Sequence, residues 1–398
     1  MKKIVFLHTD FRIYWPARIN NLFSYLTSLG FDLQVIEISG LGSNYHFAKN
    51  PKQADFWECL FPDKSLQDLD PTEIRKAVLK RLEEIKPHVL ITGAIAFPSG
   101  ATGVYYANKN QIPLIVFDDA KLEDVKRNLF VNWVKKQLYS GVDAIFCPAL
   151  GWESTFNFFG FGQERLFYGV DVVDNDFFMN NKDVSENSPV ISKNYFLNVG
   201  RQVEKKNLLM LLTAYHQLTQ KNENVPDLVL VGDGPKRQEL EGYIKKHQMK
   251  NVQLLPFFPQ DTIREIYKNA KAFVLPSSFG ETWGLVINEA MASGLPVIVS
   301  NKVGCAGTLV QNEVNGFVFD VASKDSLVKA MQHFIMLNED QTREMSDSSR
   351  NIIKDWGLDR FNEGMISAIT FVTQTPKRKI SFSGKLIANF WLGRYNAL

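Results

Sequence analysis

Residues 273–300 read FVLPSSFGETWGLVINEAMASGLPVIVS. The apolar run Phe273–Leu275 ends at Pro276, and a loop of small residues then carries Glu281. Beyond Gly284 the spacing predicts a helix, Leu285–Ala292, followed after Gly294 by a second apolar run, Val297–Val299. Strand, helix and strand in this order make one unit of a mostly parallel α/β sheet. Ligands of such sheets gather outside the carboxyl ends of the strands, so the Glu281 loop stands where a ligand binds. The amides of Thr282, Trp283, Gly284 and Leu285 open the helix, and its dipole favours an anion there, a phosphate first.

The same alternation extends in both directions. Upstream, strands are predicted at Lys3–Leu7, Leu33–Ile38, Val89–Thr92, Leu114–Phe117 and Ala144–Cys147, with helices at Asn20–Leu29 and Pro71–Ile85. Around the quoted stretch, strands are predicted at Tyr195–Val199, Asp227–Val231, Val252–Leu255, Ala272–Leu275 and Gly316–Phe319. Helices are predicted near Leu208–Gln220, Lys236–Gln248, Gln260–Asn269, Lys324–Leu337 and Gln341–Lys354. Between the halves, the polar run Asn180–Lys193 with Pro189 reads as a linker. The expected fold class is α/β, two Rossmann-like domains spanning 1–185 and 190–355, with a terminal segment 356–398.

Composition agrees with a folded protein and narrows its partners. The 398 residues are 45% hydrophobic and 22% charged, which excludes wholesale disorder and fibrous repeats. A formal charge of +2 is too balanced for a surface that coats nucleic acid, so no nucleic-acid partner is expected. Cys59, Cys147 and Cys305 lie far apart without a C-x-x-C pair, and the six histidines show no metal-ligand spacing, so neither disulfide scaffold nor metal site is expected. The opening run Ile4–Leu7 is shorter than the ~7–15 apolar residues of a signal peptide. No stretch approaches the ~18 apolar residues of a membrane span, so a cytoplasmic protein is expected. The segment Pro376–Leu398 carries five bases and no acid, with Phe382, Phe390, Trp391 and Tyr395 interleaved. It either packs on the first domain or adheres to an anionic membrane.

Two further patterns bear on chemistry. Glu281 and Glu289 are eight residues apart, so an axial rise of roughly 8–12 Å separates them. That is poor for a carboxylate pair flanking one bond, whose groups stand about 5–9.5 Å apart. They suit two parts of an extended ligand, a sugar for Glu281 and a ribose for Glu289; the alternatives are a capping group and a solvated helix residue. After the strand Tyr195–Val199, the loop Gly200-Arg201-Gln202-Val203-Glu204-Lys205-Lys206 offers close backbone approach and two cations, Arg201 and Lys206, to a diphosphate leaving group. An ordinary solvated loop is the alternative. Val231-Gly232-Asp233-Gly234-Pro235 lacks the third glycine of the dinucleotide fingerprint, and no Walker A, H-E-x-x-H or G-x-S-x-G sequence is present.

Together the Gly200-Arg201…Lys206 loop, Gly232-Asp233-Gly234-Pro235, Glu281…Glu289, Glu289-Ala290-Met291-Ala292, Gly294-Leu295-Pro296-Val297 and Asn315-Gly316 resemble the retaining glycosyltransferases of family 4. The resemblance implies the GT-B fold, two domains facing across a cleft, and sugar transfer from a nucleotide-diphosphate sugar without an obligatory metal. Carried onto matching positions, it implies that Arg201 and Lys206 hold the diphosphate, Glu289 the ribose and Glu281 the donor sugar. The Thr282–Leu285 backbone would cover the phosphates, and Gly232 with Pro256-Phe257-Phe258 would approach the base. The acceptor would be a glycan or lipid-linked hydroxyl in cell-surface polysaccharide or lipopolysaccharide synthesis, with the enzyme peripheral at the inner face of the membrane.

The first domain departs from the family. Tyr168-Gly169-Val170-Asp171 resembles its turn before the linker, but Asp10–Pro16 replaces a glycine-rich loop. Asp118-Asp119 stand where many relatives have histidine. Asp118 or Asp119 is the candidate to orient or deprotonate the acceptor, with Arg12 and Trp15 on the acceptor side. A catalytically silent nucleotide-sugar-binding protein and a nucleotide-sugar epimerase are the competing functions.

Overall fold

Runs such as Val89–Thr92, Leu114–Phe117, Ala144–Cys147 and Val297–Ser300 are buried at every residue, as parallel strands covered on both faces must be. A computed structural model describes residues 1–41, 54–124, 127–180 and 194–394. The chain divides into two compact units, one of Met1–Val172 with Leu358–Leu398, the other of Val173–Gly357. The polar run expected as linker lies, apart from Asn180, outside the described residues.

The first unit holds seven strands, β1 (Lys2–His8), β2 (Phe31–Leu41), β3 (Trp57–Ser65), β4 (Val89–Thr92), β5 (Leu114–Phe117), β6 (Ala144–Cys147) and β7 (Leu166–Tyr168). Their spatial order is β3-β2-β1-β4-β5-β6-β7, and each neighbouring pair is parallel. The second holds β8 (Tyr195–Val199), β9 (Asp227–Val231), β10 (Val252–Leu255), β11 (Ala272–Leu275), β12 (Val297–Ser300) and β13 (Gly316–Phe319), in the order β10-β9-β8-β11-β12-β13, again all parallel.

The first unit's helices are α1 (Trp15–Ser28), α2 (Pro71–Ile85), α3 (Pro98–Asn110), α4 (Leu129–Tyr139) and α5 (Glu153–Phe158). The second's are α6 (Asn175–Met179), α7 (Leu208–Thr219), α8 (Arg237–Lys246), α9 (Gln260–Asn269), α10 (Leu285–Ala292), α11 (Ala306–Leu309), α12 (Lys324–Ile335) and α13 (Glu339–Lys354). The chain then returns to the first unit as α14 (Leu358–Gln374) and α15 (Phe382–Phe390). Phe361, Met365 and Ile369 of α14 join Phe6, Ile91, Phe117 and Phe146 in one core, where each large apolar side chain contributes about 1.5–3 kcal/mol.

Several elements differ from expectation. α1 starts at Trp15, because Pro16 fits its first turn, where the missing N–H costs nothing. β3 was not anticipated: it is an edge strand carrying Pro62 and Asp63, with no buried run. Nor was α3, whose sequence PSGATGVYYANKN hides a largely buried helix behind small residues without apolar periodicity.

The basic terminal segment packs onto the first unit. Lys377 Nζ lies 2.9 Å from the buried Asp143 carboxylate, which also accepts from the Arg378 amide. Arg75 donates to the carbonyls of Ala388 and Asn389, and Trp391 Nε1 to that of Ile95. Tyr395 lies outside the described residues. No described helix is long and apolar enough to cross a membrane.

Candidate functional site

In the second sheet β8 and β11 are neighbours, but the chain leaves β8 toward β9 on one side and β11 toward β12 on the other. This reversal opens a crevice at the carboxyl ends of the two strands. The loop after β8, residues 200–207, and the loop after β11, residues 276–284, line it.

The first loop is clamped to the turn after β9. The Gln202 amide donates to the Asp233 carbonyl at 2.7 Å, and Gln202 Nε2 to the Gly232 carbonyl at 2.9 Å. Gly232, at φ 139°, lies so close to the Gly200 carbonyl oxygen that a Cβ would collide with it, so only glycine fits. The loop then tightens into a 3-10 turn, Glu204–Lys206, which ends at the left-handed Asn207. The second loop is sewn to this turn: the Ser278 amide donates to the Lys205 carbonyl at 2.8 Å, and Lys205 Nζ to the Gly280 carbonyl at 3.0 Å.

The outcome is an ion pair across the crevice. Lys206 Nζ lies 2.6 Å from Glu281 Oε2, and the Ser277 hydroxyl donates to the same oxygen at 2.8 Å. Burial pushes the Glu281 carboxyl up, but Lys206 foremost, with Lys205 and Ser277, outweighs it and holds the group below its usual range. Glu281 is fixed from behind as well, since its backbone bridges Val303 and its carbonyl accepts from the Gly304 amide. Gly284, at φ 100°, turns the chain into α10; a Cβ there would stand 3.0 Å from Val303 Cγ1.

α10 is buried along most of its length. Trp283 Nε1 donates to Asn288 Oδ1 at 2.8 Å and anchors its first turn. Glu289 is only 4% exposed and accepts from the Tyr267 hydroxyl at 2.7 Å, so it is not a solvated helix residue. Glu281 is not a helix cap either: Gly284 occupies that position and no side chain caps α10. The structure thus brings Gly200, Lys206, Glu281 and Gly284 to one crevice, with Leu285 opening the helix beside it. Arg201 is half-buried, directly after Gly200. On the far side of Gly200, Phe257 Cε1 stands 3.5 Å from where a Gly232 Cβ would be, so an aromatic ring does flank that glycine.

The first-unit candidates are placed less openly. Asp118 is buried, accepts from the Tyr139 hydroxyl at 2.7 Å and the Ala120 amide at 3.0 Å, and so shapes the turn after β5. Asp119 is half-buried, and its charge acts on Arg18 and Asp171. Arg12 is buried against Asp10 and the Gly40 carbonyl, because the loop after β1 folds inward. Trp15 packs among Phe6, Phe11 and Phe361, with the Arg18 guanidinium 5.0 Å from its ring centroid.

Sequence reasoning missed Ser277, Lys205 and Tyr267. Ser277 precedes Glu281 by one turn's spacing and was open to suspicion; Tyr267 comes from α9 and carries no signal linking it to Glu289. It also missed a second crevice, between β1 and β4, where the first sheet reverses. There His8 Nδ1 and the hydroxyls of Thr9 and Ser99 are buried without a hydrogen-bond partner among the described residues. Among the described residues no cluster of three or more His, Cys, Asp or Glu could hold a metal.

Residues 181–352 match the family model described as Glycosyl transferases group 1. The chain is 34% identical over 130 residues to an uncharacterised glycosyltransferase of Methanocaldococcus jannaschii, covering 32% of each chain. It is 33% identical over 180 residues to the Escherichia coli UDP-Gal:alpha-D-GlcNAc-diphosphoundecaprenol alpha-1,3-galactosyltransferase, covering 44% of this chain and 45% of that one. The matched stretches therefore span less than half of these relatives. Among solved structures, sucrose-phosphate synthase from Thermosynechococcus elongatus superposes with a TM-score of 0.73 at 16% identity, covering 94% of this chain and 100% of that one. Anabaena HepE in complex with UDP-glucose does so with 0.70 at 17%, covering 93% and 100%. These likenesses show the GT-B fold, two α/β units each built on a parallel sheet.

Proposed function

From the match of residues 181–352 to the glycosyl transferases group 1 model, we propose that the chain is a retaining glycosyltransferase of the family 4 type. It moves a sugar from a nucleotide-diphosphate sugar to a hydroxyl of a glycan or lipid-linked acceptor, in cell-surface polysaccharide or lipopolysaccharide synthesis, at the inner face of the membrane. The observation that carries this reading is the Lys206–Glu281 pair across the reversal of the second sheet. That UDP and UDP-glucose occupy solved structures of the same fold supports a nucleotide-sugar donor.

In this reading Arg201 and Lys206 meet the diphosphate and no obligatory metal takes part. The sugar–phosphate bond breaks toward the diphosphate, and the two cations with the opening amides of α10, Thr282 to Leu285, take up the developing charge. Glu281 holds the donor sugar near its reacting carbon, and Glu289 the ribose hydroxyls. Gly232 and Phe257 stand at the base. The acceptor oxygen bonds to the sugar carbon from the leaving-group face, and its proton goes to the departing phosphate oxygen or to a base. Asp118 or Asp119, in the turn after β5, is the first-unit candidate to orient or deprotonate the acceptor hydroxyl.

The test is Glu281→Gln. Donor turnover, measured as transfer or slow hydrolysis across UDP-, GDP- and ADP-sugars, falls by about two to three orders of magnitude, while nucleoside diphosphate binding in a thermal-shift assay stays within a few-fold. Wild-type protein that binds nucleoside diphosphates but turns over no donor in the panel is a silent binding protein instead. A changed sugar without transfer is an epimerase.

A further inference from the structure

α4 and α15 pack side by side in the first unit, where Gln137 of α4 accepts from the hydroxyls of Ser381 and Ser383 at the start of α15. Their outward faces are apolar. On α15, Phe382, Leu386 and Phe390 follow one another at i, i+4 and i+8, and Phe382 and Phe390 are 81% and 83% exposed. On α4, Leu129 and Phe130 are 87% and 68% exposed, and Trp133 stacks on Phe130 with ring centroids 5.9 Å apart. Single exposed apolar residues are ordinary, but six on two adjoining helices form a patch that marks an interaction surface.

On α4 and in residues 376–394 the charges have one sign. α4 contains Lys135 and Lys136 and no acid, and residues 376–394 contain five bases and no acid. Lys377 is spent on Asp143, and Arg378 on the carbonyls of Val142 and Gly160. Lys136, Lys379, Lys385 and Arg394 remain exposed, and among the described residues none of them forms an ion pair. In the loop ahead of α4, Glu123 is the single exposed acid.

We propose that this α4–α15 face docks on an anionic lipid bilayer, with Phe130, Trp133, Leu386 and Phe390 entering the interface and Lys136, Lys379, Lys385 and Arg394 meeting the headgroups. Aromatic and aliphatic side chains framed by unpaired bases fit a surface whose edge is apolar below and negative above. A protein partner of ordinary composition would need acids to match those bases. The proposal gives the membrane contact of the proposed function a location. Vesicle binding requires neither donor nor acceptor, so its failure is distinct from failure of the transferase reading, which donor hydrolysis in solution decides.

The experiment is co-sedimentation of the full chain with vesicles of equimolar phosphatidylglycerol and phosphatidylcholine, against phosphatidylcholine alone. The wild type binds the anionic vesicles, and binding falls several-fold as salt is raised. Phe130→Ser combined with Trp133→Ser and Phe390→Ser lowers binding about tenfold or more. Lys379→Glu with Lys385→Glu, at exposed positions that do not endanger folding, lowers it several-fold, and both variants keep the wild-type melting temperature and oligomeric state. Absence of binding to anionic vesicles, equal binding to neutral ones, or unaltered binding by the charge variant overturns the proposal. A concentration-dependent dimer abolished by the triple substitution, without vesicle binding, assigns the patch to a second copy of the chain and overturns it equally.

Discussion

Lys206 and Glu281 neutralise each other at a place where, in the proposed reaction, the lysine meets a diphosphate. Both side chains are about nine-tenths buried, so neither charge has water as a substitute partner. Removing the lysine therefore strands the glutamate, and breaking such a pair costs about 3–5 kcal/mol. Lys206→Ala is expected to lower stability by about that amount and to weaken nucleoside diphosphate binding about 10–100-fold, the worth of one charge-assisted contact. Lys206→Met with Glu281→Gln separates the two effects. Neutralising both partners restores most of the stability in a denaturant titration but none of the affinity in calorimetry. A double variant that regains affinity removes Lys206 from the diphosphate site.

α15 illustrates an element held by polar anchors and not by a core of its own, for only Gly384 and Ala388 of it are buried. Its approach is fixed by Lys377 on Asp143 and by the Arg75 guanidinium under its last carbonyls. Deleting residues 376–398 leaves Asp143, 2% exposed, without its counter-charge. The expected result is a loss of at least about 3 kcal/mol from the first unit in a denaturant titration; unchanged stability would mean that the segment only rests on the surface. The sequence foretold this segment's charge but not its anchors, because Asp143 and Arg75 lie far away along the chain.

The strands tell the same story from the other side. β4, β5, β6, β8 and β11 were legible to the residue, since a strand buried on both faces is a bare apolar run. β3 was not, because an edge strand has solvent on one side and tolerates Pro62. In the site, Gly200, Lys206, Glu281 and Gly284 were legible because strand-end loops of a parallel sheet converge wherever the strand order reverses. Tyr267 beneath Glu289, and Tyr139 against Asp118, were not, because each partner arrives from a different helix.

Buried carboxyls of the first unit and the paired Glu281 of the second answer acid in opposite senses. In the first, burial foremost, then Asp119, raises Asp171 from 3.8 to about 7 against the pull of Arg18. Burial likewise raises Glu37 from 4.5 to about 7, opposed by the Phe11 amide and the Trp57 indole. Each binds its proton in the folded state before the unfolded state does, so each makes stability fall as pH climbs from about 4 to 7, at up to about 1.4 kcal/mol per unit. His8 runs the other way: burial, then Arg18, lowers it from 6.5 to about 3, and stability from this source rises with pH across that interval. Of these three groups, two carboxyls against one imidazole leave a net decline.

In the second unit the lowered Glu281 contributes stability that is complete above its unfolded value of 4.5 and is lost as pH falls through its folded value. Acid thus strengthens the contributions of Asp171 and Glu37 down to about pH 4 and weakens that of Glu281 below it. Asp171→Asn isolates one group, because His8, Glu37 and Glu281 are common to both proteins. The variant's stability relative to wild type should climb steadily between about pH 4 and 7 and level off above. Urea titrations at unit intervals of pH measure that difference. A flat difference would mean that Asp171 is already ionised in the folded protein throughout, held so by Arg18, whose guanidinium lies 3.9 Å away.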